Sequence, residues 1–372
     1  MEHGGCFNFE KMDIYDFNNA IWLKGAWVTT IRKVVSNGRL RVEMGTSMKV
    51  EQCSFGGSST KFSANNGGIY FTGVSYSHID NCTSDGGAIV PYKFNGCNAI
   101  KLTACGCEET GSSDANEGKA LAFERDNLNI IVEGFTNRQL AHATKPVASF
   151  ISNNKVTFRN CVFSQTGTSL SNRDFYIAEN GNVINVIDCQ FSNDSFDNPR
   201  IKFENGVTTS SVYVTVNGRT TRYYSKGDGK TYRARLYDQE GSDANGSFIK
   251  HWNGTKTCRH AFSAELFTGN HSQETVSGVT IYKSNSVAWT FPGGGFAAQP
   301  VITAQILSTS GAAPALTQVN IDSTGFGTTS AGSFFLSGLK SFASGAGGIS
   351  ATVRVMVTAY GTWTNEEDVT PA

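Results

Sequence analysis

A short phrase recurs through the first half of the chain and limits the folds open to it more than any other feature. An apolar residue, two mostly polar residues and a cysteine make up Val50 to Cys53, Ile79 to Cys82, Leu102 to Cys105, Phe158 to Cys161 and Val186 to Cys189. Three further copies end on another apolar residue: Phe9 to Met12, Ile31 to Val34 and Val132 to Phe135. The closing positions lie 19 to 30 residues apart, the spacing of a repeat whose units each form one supersecondary element. Between the copies runs an apolar-x-apolar triplet: Ile21-Trp22-Leu23, Leu40-Arg41-Val42, Ile69-Tyr70-Phe71, Tyr92-Lys93-Phe94, Leu121-Ala122-Phe123, Phe175-Tyr176-Ile177 and Ile201-Lys202-Phe203. Each repeat thus holds at least two short alternating strands separated by Asn, Ser, Gly and Asp turns, with no helical period between them.

One coil of a right-handed, single-stranded parallel β-helix has this size and content. Cysteine suits its inner position because it is small, apolar and readily buried. After about residue 210 the repeat stops. Residues 1–212 are therefore read as β-helix and 213–245 as a connector or small β subdomain. Residues 246–372, rich in Ser, Thr, Ala and Gly with alternating strands, are read as an antiparallel, sandwich-like β domain.

Composition narrows the partners. Among 372 residues, 31 basic side chains balance 31 acidic ones. No excess of cations exists to neutralise phosphates, so neither nucleic acid nor an anionic membrane is expected as a partner. No run of about 18 apolar residues spans a membrane. The opening MEHGGCFNFE has no signal-peptide character. Nine cysteines are an odd number, and none has zinc spacing. They read as a reduced core ladder with Cys107 beside it, leaving Cys6 and Cys97 unassigned, and no metal or cofactor is expected.

The coils, above all YSHIDNCTSDGGAIVPYKFNGCNAIKLTACGCEE and IIVEGF, resemble the β-helices of bacteriophage tailspikes and capsular-polysaccharide depolymerases of the pectate-lyase-like superfamily. NGSFIKHWNGTKTC, which includes Cys258, VAWTFPGGGFAAQPVITAQ and VTAYGTW are similar to the C-terminal domain of phage tail fibres, with Asn253 where that pattern has an aspartate. The resemblance implies a homotrimer on a virion tail, engaged with host capsule or O-antigen. It also implies attachment to the tail through an N-terminal region that this chain, opening inside a coil at Phe7 to Met12, is expected to lack.

Register then selects candidate residues, since equal offsets from the cysteine position stack one strand apart, about 4.7–4.9 Å. Asp85 and Glu108 share such an offset and would form the close carboxylate pair of a retaining glycosidase; capping a turn or binding an ion is the bland alternative. Glu109 and Asp114 are substitutes with wider separation. A second column places Glu51 beside Asp80, with Arg32 one coil below, where a salt-bridge ladder would use the same residues. His78 alternates to the same face as Asp80 and could act as an acid or base, or be structural.

The middle residues of the triplets give an outward column of Trp22, Arg41, Tyr70 and Lys93. Aromatic faces stack on sugar rings and cations hold carboxylates or hydroxyls, so this column reads as a polysaccharide track or, equally, as a subunit interface. The acidic segment 108–126 could wall a groove with Glu117, Glu124 and Asp126, or be solvated turn charge. A lyase would need a base such as His78 and a cation such as Lys93, Lys101 or Arg125. Two functions follow as expectations: a tailspike that cleaves polysaccharide by acid/base attack with Asp85 and Glu108 as the expected pair, and a fibre that only binds it.

Overall fold

The computed structural model describes residues 5–15, 17–56, 67–84, 90–108, 120–139, 146–165, 174–191, 199–203, 211–266, 273–276, 279–283, 287–311, 318–321, 330–339 and 351–369. It is all-β, and the repeats form a parallel β-solenoid. Two compact units are present, residues 1–234 with 367–372 and residues 235–366.

The phrase that ends on cysteine builds the first sheet. Its strands include Thr30–Ser36, Lys49–Glu51, Ser75–Asp80, Asn98–Thr103, Ile130–Glu133, Lys155–Arg159 and Val183–Ile187, each parallel to the next. The triplets build the second sheet, eight strands from Asn19–Lys24 to Ile201–Phe203. A third, four-stranded sheet runs through Gly106–Glu108, Thr136–Gln139, Val162–Gln165 and Gln190–Phe191. Apolar residues of all three faces fill one continuous core. Within it Phe94, Phe123 and Phe150 stack at centroid separations of 5.7 and 5.2 Å.

Strict period-two alternation would put the first and fourth residues of the phrase on opposite faces, yet Ile79 and Cys82, like Leu102 and Cys105, are all buried. The residue before the cysteine position resolves this. Lys11, Lys33, Gln52, Asn81, Ala104, Asn160 and Asp188 adopt φ between 49° and 56°, and Gly134 follows at 63°. One left-handed residue turns the chain through a corner and points the next side chain inward. The cysteines gain a second role there: the thiols of Cys53, Cys82, Cys105 and Cys161 donate to Ile31, Val50, Ile79 and Val132 carbonyls of the preceding coil at 3.4–3.6 Å. All nine cysteines are free, and only Cys6 is exposed.

Two more left-handed corners frame each coil in the N-terminal half. Gly25, Met44, Gly73, Gly96 and Asp126 close the second sheet, and Val28, Ser47, Tyr76, Ala99 and Asn129 open the first. Cys97 lies just past the former corner, stacked under Asn127 and Asn154. Asn127 accepts from the Cys97 backbone N–H at 3.0 Å, and its amide donates to Asn154 at 2.7 Å.

Within the segment read as a connector, Val212–Val216 pairs antiparallel with Arg219–Tyr224. The first sheet continues through Thr231–Arg235 to Glu366–Val369. In the other unit, Gln239–Asp243, Gly246–Lys250, Thr255–Leu266, Ala351–Thr362 and Val301–Gly311 form one sheet in that order. A second sheet carries Val287–Thr290 and Ala331–Leu339. Cys258, Trp289, Phe291, Val355 and Val357 share their core. Lys256 is buried beside it, its ammonium donating to the Gly294 carbonyl. Burial holds that amine below the usual lysine range.

Candidate functional site

On the outer side of the first sheet the registered column reads Glu10, Arg32, Glu51, Asp80, Thr103, Glu133 and Arg159. Next to it run Lys49, His78 and Lys101. The chain alternates in and out at this point, so the two columns share one face. Glu51 and Asp80 are direct cross-strand neighbours. Lys49 Nζ lies 2.7 Å from Glu51 Oε1, and Lys101 Nζ lies 2.7 Å from Glu133 Oε2. The Lys101 hydrogen bond and charge hold the Glu133 carboxyl below the usual range. His78 Nε2 is 2.9 Å from Thr103 Oγ1, one coil away. Among the described residues Asp80 has no ion-pair partner, so this face offers one ion-paired carboxylate beside one that is not.

The second sheet brings together the residues of the other column. Trp22, Arg41, Tyr70 and Lys93 are registered one after another, and the column continues through Ala122, Ser149, Tyr176 and Lys202. The Arg41 guanidinium sits 5.0 Å from the Trp22 ring centroid, and Arg39 sits 4.1 Å from that of Tyr70. Arg41 is held by Glu43 at 2.5 Å, and Lys93 forms an ion pair with Glu124. Burial pushes the Tyr70 phenol up, against the opposing pull of the Arg39 charge. The face therefore presents rings and cations whose geometry is fixed by carboxylates before any ligand arrives.

On the third sheet Glu108 is exposed and its strand is registered with the next coil, Glu108 opposite Arg138. Asp85, with Glu109, Asp114 and Glu117, lies outside the described residues. The described bridge that precedes it joins Thr83 to Gly106. Arg125 of the second sheet pairs with Glu179 at 3.1 Å, and Asp126 accepts from the Asn153 amide at 3.0 Å.

Sequence reasoning missed the short arcs between the second and first sheets. Their outward column is Trp27, Thr46, Ser75, Asn98 and Leu128. Their left-handed column is Val28, Ser47, Tyr76, Ala99 and Asn129. Trp27, Val28 and Tyr76 are 54%, 63% and 69% exposed. The available signal was their fixed offset beyond the triplets, where large apolar residues stand in place of turn formers. Among the described residues no group of His, Cys, Asp and Glu is placed to hold a metal ion, and no helix is long and apolar enough to cross a membrane.

No family model matches the chain, and no curated protein does. Solved structures do. The tailspike gp42 of Acinetobacter phage vb_AbaP_AS12 is 9% identical with a TM-score of 0.38, over 73% of this chain and 61% of that one. The tailspike gp61 of Pseudomonas phage phi297 is 9% identical with a TM-score of 0.43, over 96% and 67%. A tailspike variant of E. coli bacteriophage HK620, solved in complex with pentasaccharide, is 11% identical with a TM-score of 0.26, over 96% and 69%. The chain thus spans about three-fifths of the first of these proteins. These three solved structures are of phage tailspikes.

Proposed function

We propose that the chain is the polysaccharide-engaging part of a phage tailspike, carried on the virion tail, which binds host capsule or O-antigen and cleaves it. The observation that carries this reading is the registered column Trp22, Arg41, Tyr70 and Lys93 on the solenoid's outer face. Rings two strands apart, roughly 9–10 Å, suit alternate sugar units of a polymer lying along the coil stack, and the interleaved cations suit its hydroxyls and carboxylates. Glu124 and Glu43 keep those cations in place.

Cleavage is assigned to a carboxylate pair. Glu51 and Asp80 are neighbours one strand apart, a spacing suited to a retaining glycosidase. One carboxyl protonates the leaving oxygen while the other bonds to the anomeric carbon as the glycosidic bond breaks; water, deprotonated by the first, then hydrolyses the glycosyl ester. Asp85 with Glu108 is the second pair on which the reaction could rest, and His78 would supply the base of a lyase.

Incubating purified protein with capsule from a susceptible strain tests the reading. Shortened polymer is expected. Glu51→Gln with Asp80→Asn, against Asp85→Asn with Glu108→Gln, would show which pair cleaves by abolishing it. Absorbance from an unsaturated uronate would mark a lyase. Intact polymer that nevertheless stays bound would favour the second reading, a fibre that binds without cutting. Assembly as a homotrimer belongs to the same proposal, and a native mass about three times 40.0 kDa checks it.

A further inference from the structure

The geometry points to a separate subsite for a neutral sugar on the arcs that join the second sheet to the first. This inference rests on the reading that the chain binds polysaccharide, and it names both a site and a ligand class that the outward columns of the sheets do not supply.

The arcs form a ridge two residues wide. In the first four coils its outward residues are Trp27, Thr46, Ser75 and Asn98, and its left-handed residues are Val28, Ser47, Tyr76 and Ala99. None of these eight is charged. On the first-sheet side Lys49, His78 and Lys101 follow two residues on; on the second-sheet side Lys24 and Glu43 are followed in register by Thr72 and Asn95, with the exposed Met44 between Glu43 and Thr46. A ligand lying along the ridge therefore meets aromatic surface, hydroxyls and an amide, the groups that recognise an uncharged sugar.

Backbone conformation sets how these side chains are presented. Glycine or asparagine occupies left-handed positions most readily, and a β-branched or bulky residue there is strained. Val28 holds φ 44° and Tyr76 holds φ 49°, and both side chains are exposed, so packing does not compensate the strain. The same conformation recurs at Ser47 and Ala99, so it belongs to the corner, and it leaves Val28 and Tyr76 exposed on it. Trp27 and Tyr76 stand two coils apart, roughly 9–10 Å at strand spacing, with the small Thr46 and Ser47 in the coil between. The ridge thus carries two exposed rings with hydroxyl residues in the coil between.

A second copy of the chain is a poorer occupant. A stable protein interface needs about 800 Å² on each side, whereas the uncharged strip is two residues wide and is flanked on the first sheet by Lys49, His78 and Lys101. An extended glycan needs only the strip.

The test is an array of defined bacterial oligosaccharides, uncharged hexose and N-acetylhexosamine chains beside chains bearing uronate, sialate or phosphate, probed with the full chain and with Trp27→Ala and Tyr76→Asn. The Tyr76→Asn variant suits a left-handed position and is expected to fold at least as well as the parent. Binding to uncharged chains that falls about tenfold in either variant, the scale of one aromatic contact, supports the subsite. Binding confined to acidic chains, or neutral binding that survives both substitutions, overturns it while leaving the polysaccharide reading intact. Binding to no glycan overturns both, and a native mass that changes in Trp27→Ala with glycan binding unaltered assigns the ridge to subunit contact and overturns the subsite.

Discussion

The side-chain amide of Asn127 donates to Asn154 Oδ1 across 2.7 Å in the buried interior of the solenoid. Asn154 in turn donates to Asn182 at 2.9 Å, and Asn182 closes the series on the Ile151 and Glu179 carbonyls. Three coils are tied by a continuous polar line through an otherwise apolar core. Substituting Asn154→Leu breaks it in the middle: one amide N–H of Asn127 and the Phe123 and Glu124 carbonyls lose their Asn154 partner, while Asn127 keeps the Phe94 carbonyl and Asn182 Oδ1 keeps the residue-154 backbone N–H. An unsatisfied buried group costs about 1–3 kcal/mol, so denaturant titration of Asn154→Leu should show a loss at the upper end of that range or above.

The aromatic line predicts a larger effect. Phe123 is fully buried between Phe94 and Phe150 and meets Phe158 edge-on at 6.1 Å. Removing it leaves a cavity that stacked coils cannot close, and Phe123→Ala should cost about 3–5 kcal/mol, measured by the same titration.

Corner residues predict gains. Ala104 is exposed at φ 50°. The left-handed penalty for an L-residue is about 1–2 kcal/mol, while glycine gives back about 0.4–1 kcal/mol through the unfolded chain. Ala104→Gly should therefore stabilise the solenoid by about 0.5–1 kcal/mol, seen as a higher denaturation midpoint.

Thiol chemistry should divide the cysteines sharply. Cys105 and Cys53, its neighbours in the column, push the Cys82 thiol up, and burial adds to the shift. Burial pushes Cys258 up to about 11. At neutral pH a maleimide reagent should label Cys6 quickly and the eight buried thiols only after denaturation, which intact-mass spectrometry would count. Two or more fast sites in the native protein would contradict the buried ladder.

Glu133 predicts a pH signature. Its carboxyl is held down by Lys101, so the folded state binds its proton less readily than the unfolded state does. The stabilisation is fully present above the ordinary carboxylate pKa and is lost as pH falls through the lowered value. Replacing Lys101→Met should return the Glu133 midpoint towards the usual range in an NMR titration, with little effect on stability because the pair is exposed.

Much of the solenoid was legible because Val50, Ile79 and Leu102 repeat a chemical requirement, a buried residue facing inward at each coil. The outward columns through Glu51 and Asp80 and through Trp22 and Tyr70 followed from counting along those same strands. The corner conformations were not legible. Lys33, Gln52 and Ala104 carry no left-handed signature as residue types, and only Gly134 and the asparagines at 81 and 160 hint at it. Cys97 looked unassigned because it belongs to a second corner whose other occupants are Ala26, Val74 and Asn127. Trp27 and Tyr76 were passed over for the same reason, since alternation by twos says nothing about residues that sit where alternation breaks. Of the expected carboxylate pairs, Glu51 with Asp80 can be placed by register, while Asp85 lies outside the described residues.

The first sheet ends with Thr231–Arg235 next to Glu366–Val369, where Arg233 Nε meets Glu367 Oε2 at 2.5 Å. The chain therefore leaves for residues 235–366 and returns from them at adjacent strands of one sheet. A segment entered and left at adjacent strands is an insertion in that sheet, the arrangement in which exchange of a chain segment is best tolerated.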